Sequence, residues 1–171
     1  MAGSQIIYLF KNKLNNMESQ KKLYSGEDIN TMRVAEKSRM NGKNRVDELI
    51  NYAKKSGVKR IGIAHCVALQ KEADQLKARL SNHFETFSVG CKVGGVTSAV
   101  MLDDENAKGL SCNPAGQAEF LAANNTELNI SVGLCVGHDI VFNQKSTAPT
   151  TTLIVKDREH KHNPYKEFET K

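Results

Sequence analysis

No apolar run in this 171-residue chain approaches the roughly 18 residues that a membrane-spanning helix needs. The apolar stretch nearest the start, Ile6 to Phe10, has no cleavage-like sequel, so no signal peptide is expected there. Cysteine is scarce and never paired locally. The four, at 66, 91, 112 and 135, include no CxxC spacing, which removes the local signature of zinc ribbons and dithiol redox motifs. There is no RNA-binding signature and no basic stripe with interleaved aromatics, so nucleic acid is not an expected partner despite the net charge of +5. Internal repeats and low-complexity tracts are missing too.

What remains is one domain's worth of chain, 39% apolar and 25% charged, enough for a hydrophobic core. The positive charge is uneven: residues 1–60 carry 13 Lys and Arg against 6 Asp and Glu. We read residues 1–42 as a basic, partly flexible arm with a helix from Asp28 to Arg39, and residues 43–171 as a single α/β domain. A cytoplasmic location is expected, where cysteines serve as thiolates or ligands more often than as disulfides.

Apolar residues at Val46, Leu49, Ile50 and Ala53 predict an amphipathic helix over 45–55, stopped by Gly57. Arg60 to Ala64 is the first expected strand. A second amphipathic helix follows over 67–82, with Leu69, Ala73, Leu76 and Leu80 inward. Phe84 to Val89 is the second strand, and Val96 to Ser111 is expected to be an irregular excursion. Asn113 and Pro114 have the chemistry of an N-cap and a first helical residue, which starts a helix reaching about Asn124. A central strand begins at Asn129, a short helix follows His138, and Thr151 to Val155 is the last strand. This alternation predicts a three-layer α/β sandwich, with a short, mainly parallel sheet in order 2-1-3-4 and helices on both faces.

In such a sheet the strand ends share one rim, where ligands bind in open parallel sheets. Cys66, Cys91 and Cys135 each follow a strand, and Cys112 precedes a helix starting on the same edge. Topology would therefore gather four thiols that spacing keeps apart. Four thiolates suit tetrahedral zinc or an iron–sulfur cluster, so Cys66, Cys91, Cys112 and Cys135 are the candidate metal ligands. Cys135 as thiolate nucleophile with His138 as its base is the alternative, a cysteine-dependent enzyme or small-molecule binder. Gly94, Gly95, Gly137 and Asp139 are the candidate cofactor-binding residues around either site. His65 stands beside Cys66 as a possible substitute ligand, and an Asp157–Arg158 ion pair is expected at the end of the last strand.

The stretches Ile61 to Cys66 (IGIAHC), Cys91 to Gly95 (CKVGG), Cys112 to Glu119 (CNPAGQAE), Asn129 to Asp139, Ala148 to Arg158 (APTTTLIVKDR) and His162 to Pro164 (HNP) resemble a prokaryotic family. That family is catalogued as a domain of unknown function and often labelled a suspected metal-binding protein. The resemblance spans about residues 43–165. It implies that all four cysteines belong to the family's pattern, with a metal or small ligand as partner. Family members often begin with a further cysteine-rich segment, and residues 1–60 here hold no cysteine.

Overall fold

The computed structural model describes residues 17–169; the first sixteen residues of the basic arm, Ile6 to Phe10 among them, lie outside the described residues. Helix α1 (Gly26–Ser38) starts in a reciprocal cap: the Ser25 hydroxyl accepts from the Asp28 N–H, and the Asp28 carboxylate accepts from the Ser25 N–H at 2.7 Å. It lies against α2 (Arg45–Ser56). There the Asn51 side-chain amide donates to the Ser38 carbonyl at 2.8 Å, and Ser38 is buried. Helix α2 is capped by Asn44 and ended by Gly57 at φ 78°, as its sequence requires.

Four parallel strands follow: β1 (Arg60–His65), β2 (Glu85–Gly90), β3 (Leu128–Leu134) and β4 (Thr150–Val155), in the order β2-β1-β3-β4. All seven residues of β3 are buried, which is the signature of a strand covered on both faces. Helices α2 and α3 (Gln70–Leu80) cover one face, packing Leu49, Ile50, Ala53, Ala73, Leu76 and Leu80 on Ile61, Ile63, Ile130 and Val132. Helices α5 (Pro114–Ala123) and α6 (Val136–Lys145) cover the other, where Ala118, Leu121 and Phe142 meet Ala64, Val89 and Leu134. The α/β sandwich and its strand order are those expected. The excursion after β2 differs from expectation by one element: it contains a five-residue helix, α4 (Ser98–Leu102), capped by Thr97 and closed by a single antiparallel bridge from Thr97 to Leu110. Its apolar side chains Val100 and Leu102 face solvent, so no inward stripe announces it.

One irregularity sets the geometry of the rim. Ile130 and Val132 point to the α2/α3 face, and simple alternation would send Leu134 there too. Leu134 instead packs with Phe142 on the opposite face. The pairing of β3 with β4 slips between Val132 and Leu134, and Gly133 takes φ +65°. A side chain at Gly133 would be strained by that φ and would meet Leu69 Cδ1 at 2.1 Å. This bulge re-aims the chain just before Cys135. Among the described residues no helix is long and apolar enough to cross a membrane.

Candidate thiol site at the strand rim

Each cysteine occupies a junction. Cys66 follows β1 and opens a 3-10 turn over Val67–Leu69; its N–H donates to the Val132 carbonyl at 3.0 Å, and its carbonyl accepts from Leu69 N–H at 2.8 Å. Cys91 follows β2 and is only 2% exposed. Cys112 precedes Asn113, whose carboxamide oxygen caps α5 by accepting from Gly116 N–H at 2.8 Å. Cys135 is the N-cap of α6, and its side chain makes no capping bond.

The structure brings two sulfurs into direct contact: the Cys112 thiol donates to Cys91 Sγ at 3.6 Å. Backbone contacts hold this pair. Asn113 N–H donates to the Cys91 carbonyl at 2.7 Å, and the Asn113 side chain donates to the Val93 carbonyl at 3.2 Å. Burial pushes the Cys91 thiol up to about 11; the Val67 N–H works against this, and Cys112 and Cys66 add to it. Cys66 behaves differently. Burial raises its pKa, but the Ala68 N–H, the Lys156 ammonium and the Cys91 thiol together hold it below the usual thiol value. Cys135 is turned to a cation of its own, Arg158, whose Nη2 donates to Sγ at 3.3 Å.

The remaining candidates are spread around this core. Gly94 and Gly95 form a 3-10 turn with Val93, and both have positive φ, 79° and 61°. No heavy atom lies within 4 Å of where a Cβ would stand on Gly95 or Gly137, so both border open space. His138 and Asp139 lie in the first turn of α6, but Asp139 accepts from Asn143 at 3.3 Å, and no hydrogen bond joins His138 to Cys135 among the described residues. Buried His65 places Nδ1 at 3.1 Å from the Cys66 carbonyl. The expected Asp157–Arg158 pair is replaced: Asp157 accepts from the Glu159 and His160 N–H groups and pairs with the His160 ring at 3.2 Å. His160 N–H, ahead of an opposing burial effect, holds that carboxyl below its usual range.

Three residues have roles at the rim that the sequence did not assign to them, Arg158 having been read only as a partner for Asp157. Lys156 and Arg158 follow β4 on the same rim, so the rule that gathers strand ends would have found them. Gln117 had no such signal. It is fully buried, and its Nε2 donates to the carbonyls of His65 at 3.1 Å and Val89 at 2.9 Å, tying α5 to the ends of β1 and β2. Its Oε1 has no hydrogen-bond partner among the described residues.

Among the described residues no group of three or more His, Cys, Asp or Glu side chains is already arranged to hold an ion. The donor chemistry nevertheless fits a soft metal. Two sulfurs are separated by about the edge of a zinc tetrahedron, roughly 3.8 Å for bonds of 2.3 Å. A third, Cys66, is close enough to interact with one of them.

Sequence comparison places this rim in a wider group. The family described as "Protein of unknown function (DUF1847)" matches residues 9–153, most of the chain. The chain belongs to that family. All four cysteines fall inside the DUF1847 match, and Lys156 and Arg158 lie just beyond it. The chain is also similar to "Uncharacterized protein MJ0455" of Methanocaldococcus jannaschii, 51% identical over 124 residues; the match covers 71% of this chain and 64% of that relative's length. No solved structure matches the chain.

Proposed function

We propose that the chain is a cytoplasmic metal-binding protein in which Cys66, Cys91, Cys112 and Cys135 hold a zinc ion or an iron–sulfur cluster at the strand rim. The observation that carries this reading is the 3.6 Å contact between Cys91 and Cys112, a separation that two thiolates of one tetrahedral ion would keep. Electrostatics support it. Four thiolates on a divalent ion leave two negative charges, and Lys156 and Arg158 bring two positive ones to Cys66 and Cys135. Gly95 and Gly137 border open space, and with the Gly94–Gly95 turn and Asp139 they are the proposed surround. A bound zinc would tie the strand ends together, and a cluster would add electron transfer.

Anaerobic purification with elemental analysis and an absorption spectrum tests this. Zinc without colour, or iron with visible charge-transfer bands, is expected, with loss of the metal in Cys135→Ser because oxygen is a poor substitute for a soft thiolate. Wild-type protein that takes up neither metal after reconstitution sinks the reading. A second reading, a cysteine-dependent enzyme or small-molecule binder, draws on the Cys135 sulfur at the start of α6 beside Arg158. In that reading Arg158 positions the sulfur, and His138 is the base only if it moves. Stoichiometric labelling of Cys135 by a small electrophile, ahead of the other three cysteines and unaffected by metal, would favour it.

A further inference from the structure

We propose that Cys91 and Cys112 form a redox-active dithiol that closes to a disulfide when a hydroperoxide reaches the rim. The four cysteines divide by partner. Cys66 and Cys135 each face a cation, and Cys66 also interacts with Cys91, but the direct sulfur–sulfur contact is the one between Cys91 and Cys112, 3.6 Å apart. Their backbones are already aligned. Asn113 N–H on the Cys91 carbonyl, and the Asn113 side chain on the Val93 carbonyl, pin the two segments side by side at 2.7 and 3.2 Å. Bringing the sulfurs to the bonding distance of about 2.05 Å thus asks for side-chain rotation, with the backbones already in register.

Exposure gives the order of events. Cys112 is half-buried and Cys91 almost wholly so, and the oxidant meets Cys112 first. The Cys112 sulfur attacks a peroxide oxygen; the O–O bond breaks, Cys112 becomes a sulfenic acid, and the leaving oxygen takes the thiol proton to depart as water or an alcohol. Cys91 Sγ then attacks the Cys112 sulfur. The S–S bond forms, the S–O bond breaks, and the hydroxide leaves with the Cys91 proton as water. Two thiols have been oxidised by two electrons and one peroxide reduced. The closed form has lost two of the four proposed ligands, so oxidation would release a bound ion; that consequence alone rests on the metal reading.

The test uses the full chain stripped of metal by a chelator and treated with hydrogen peroxide. Free thiols are blocked, the protein is digested without reductant, and linked peptides are identified by mass. The expected product is a 91–112 link that a dithiol reductant reverses, present in wild type, Cys66→Ser and Cys135→Ser and lost in Cys112→Ser and Cys112→Ala. Circular dichroism checks that each variant is folded. A link from Cys91 to Cys66 or Cys135, or irreversible oxidation of Cys112 with Cys91 left free, overturns the proposal. Zinc uptake is measured on the same samples before stripping. Protein that closes the link but never takes up metal retains the dithiol and loses the metal reading. Protein that binds metal and never closes does the reverse.

Discussion

At the scale of single residues, the chemistry of the rim follows from who stands beside each sulfur. Cys66 is held below its usual pKa although burial opposes this, because the Ala68 N–H and Lys156 face it. Iodoacetamide at neutral pH should therefore label Cys66 well before Cys91, and Lys156→Met should slow the Cys66 reaction severalfold, as read by peptide mass. Equal rates at the two thiols would contradict this. Cys91 supplies the opposite sign. It keeps its proton to about 11, above the ordinary value of 9.0, so the unfolded chain releases a proton in that window that the folded chain retains. Stability from this group is intact below about 9 and is lost as pH rises toward 11. The urea midpoint should fall more steeply between those limits in wild type than in Cys91→Ser. Glycines beside the thiols differ just as sharply. Gly133→Ala combines a positive φ with a collision on Leu69 and should cost about 2–4 kcal/mol. Gly137→Ala, in the open first turn of α6, should gain about 0.5–1 kcal/mol. Chemical denaturation of the two variants separates them.

At the scale of elements, α5 links the sheet to the site. Gln117 satisfies the carbonyls that end β1 and β2, so Gln117→Leu leaves both short of a donor and should lower stability by about 1–3 kcal/mol in urea titration. The regular elements were legible because caps and apolar periods agree: Asn44 and Gly57 bound α2, Asn113 and Pro114 open α5, and Leu69, Ala73, Leu76 and Leu80 turn inward as their spacing demands. Two features were not legible. Helix α4 is a single short turn whose apolar residues face solvent, so periodicity has nothing to register. The bulge at Gly133 breaks alternation near the end of β3: a glycine beside Cys135 marks a place where the backbone can turn tightly, but nothing local says that it shifts the register. The junction positions of the cysteines were readable from topology. Their partners were not, since Arg158 beside Asp157 looks like a local ion pair until the tail folds Asp157 onto His160.

At the scale of the whole molecule, the two edges of the sheet differ in kind. A cavity of about 280 Å³ lies at the start of β3 and β4, lined by Thr31, Leu49, Tyr52, Leu128 and Thr150, on the edge away from the thiols. The rim carries what couples to global stability. Metal at a hundredfold excess over its dissociation constant would stabilise the fold by about 2.7 kcal/mol, so chelation should lower the melting midpoint and zinc should restore it in proportion to the logarithm of its concentration. Closing 91–112 in the metal-free chain should raise the midpoint instead, through a stabilisation of up to about 3 kcal/mol for a loop of roughly this length. A scan of oxidised and reduced protein distinguishes the two effects. The contact between Arg158 and Cys135 reaches beyond one molecule. A guanidinium held against a sulfur is of little use once the sulfur is gone, and the sulfur loses its donor once the guanidinium is gone. Across relatives whose chains extend past β4, the two positions should have been inherited as a unit, with replacement at one accompanied by replacement at the other. Independent drift of the two would mean that natural selection has never acted on the pair.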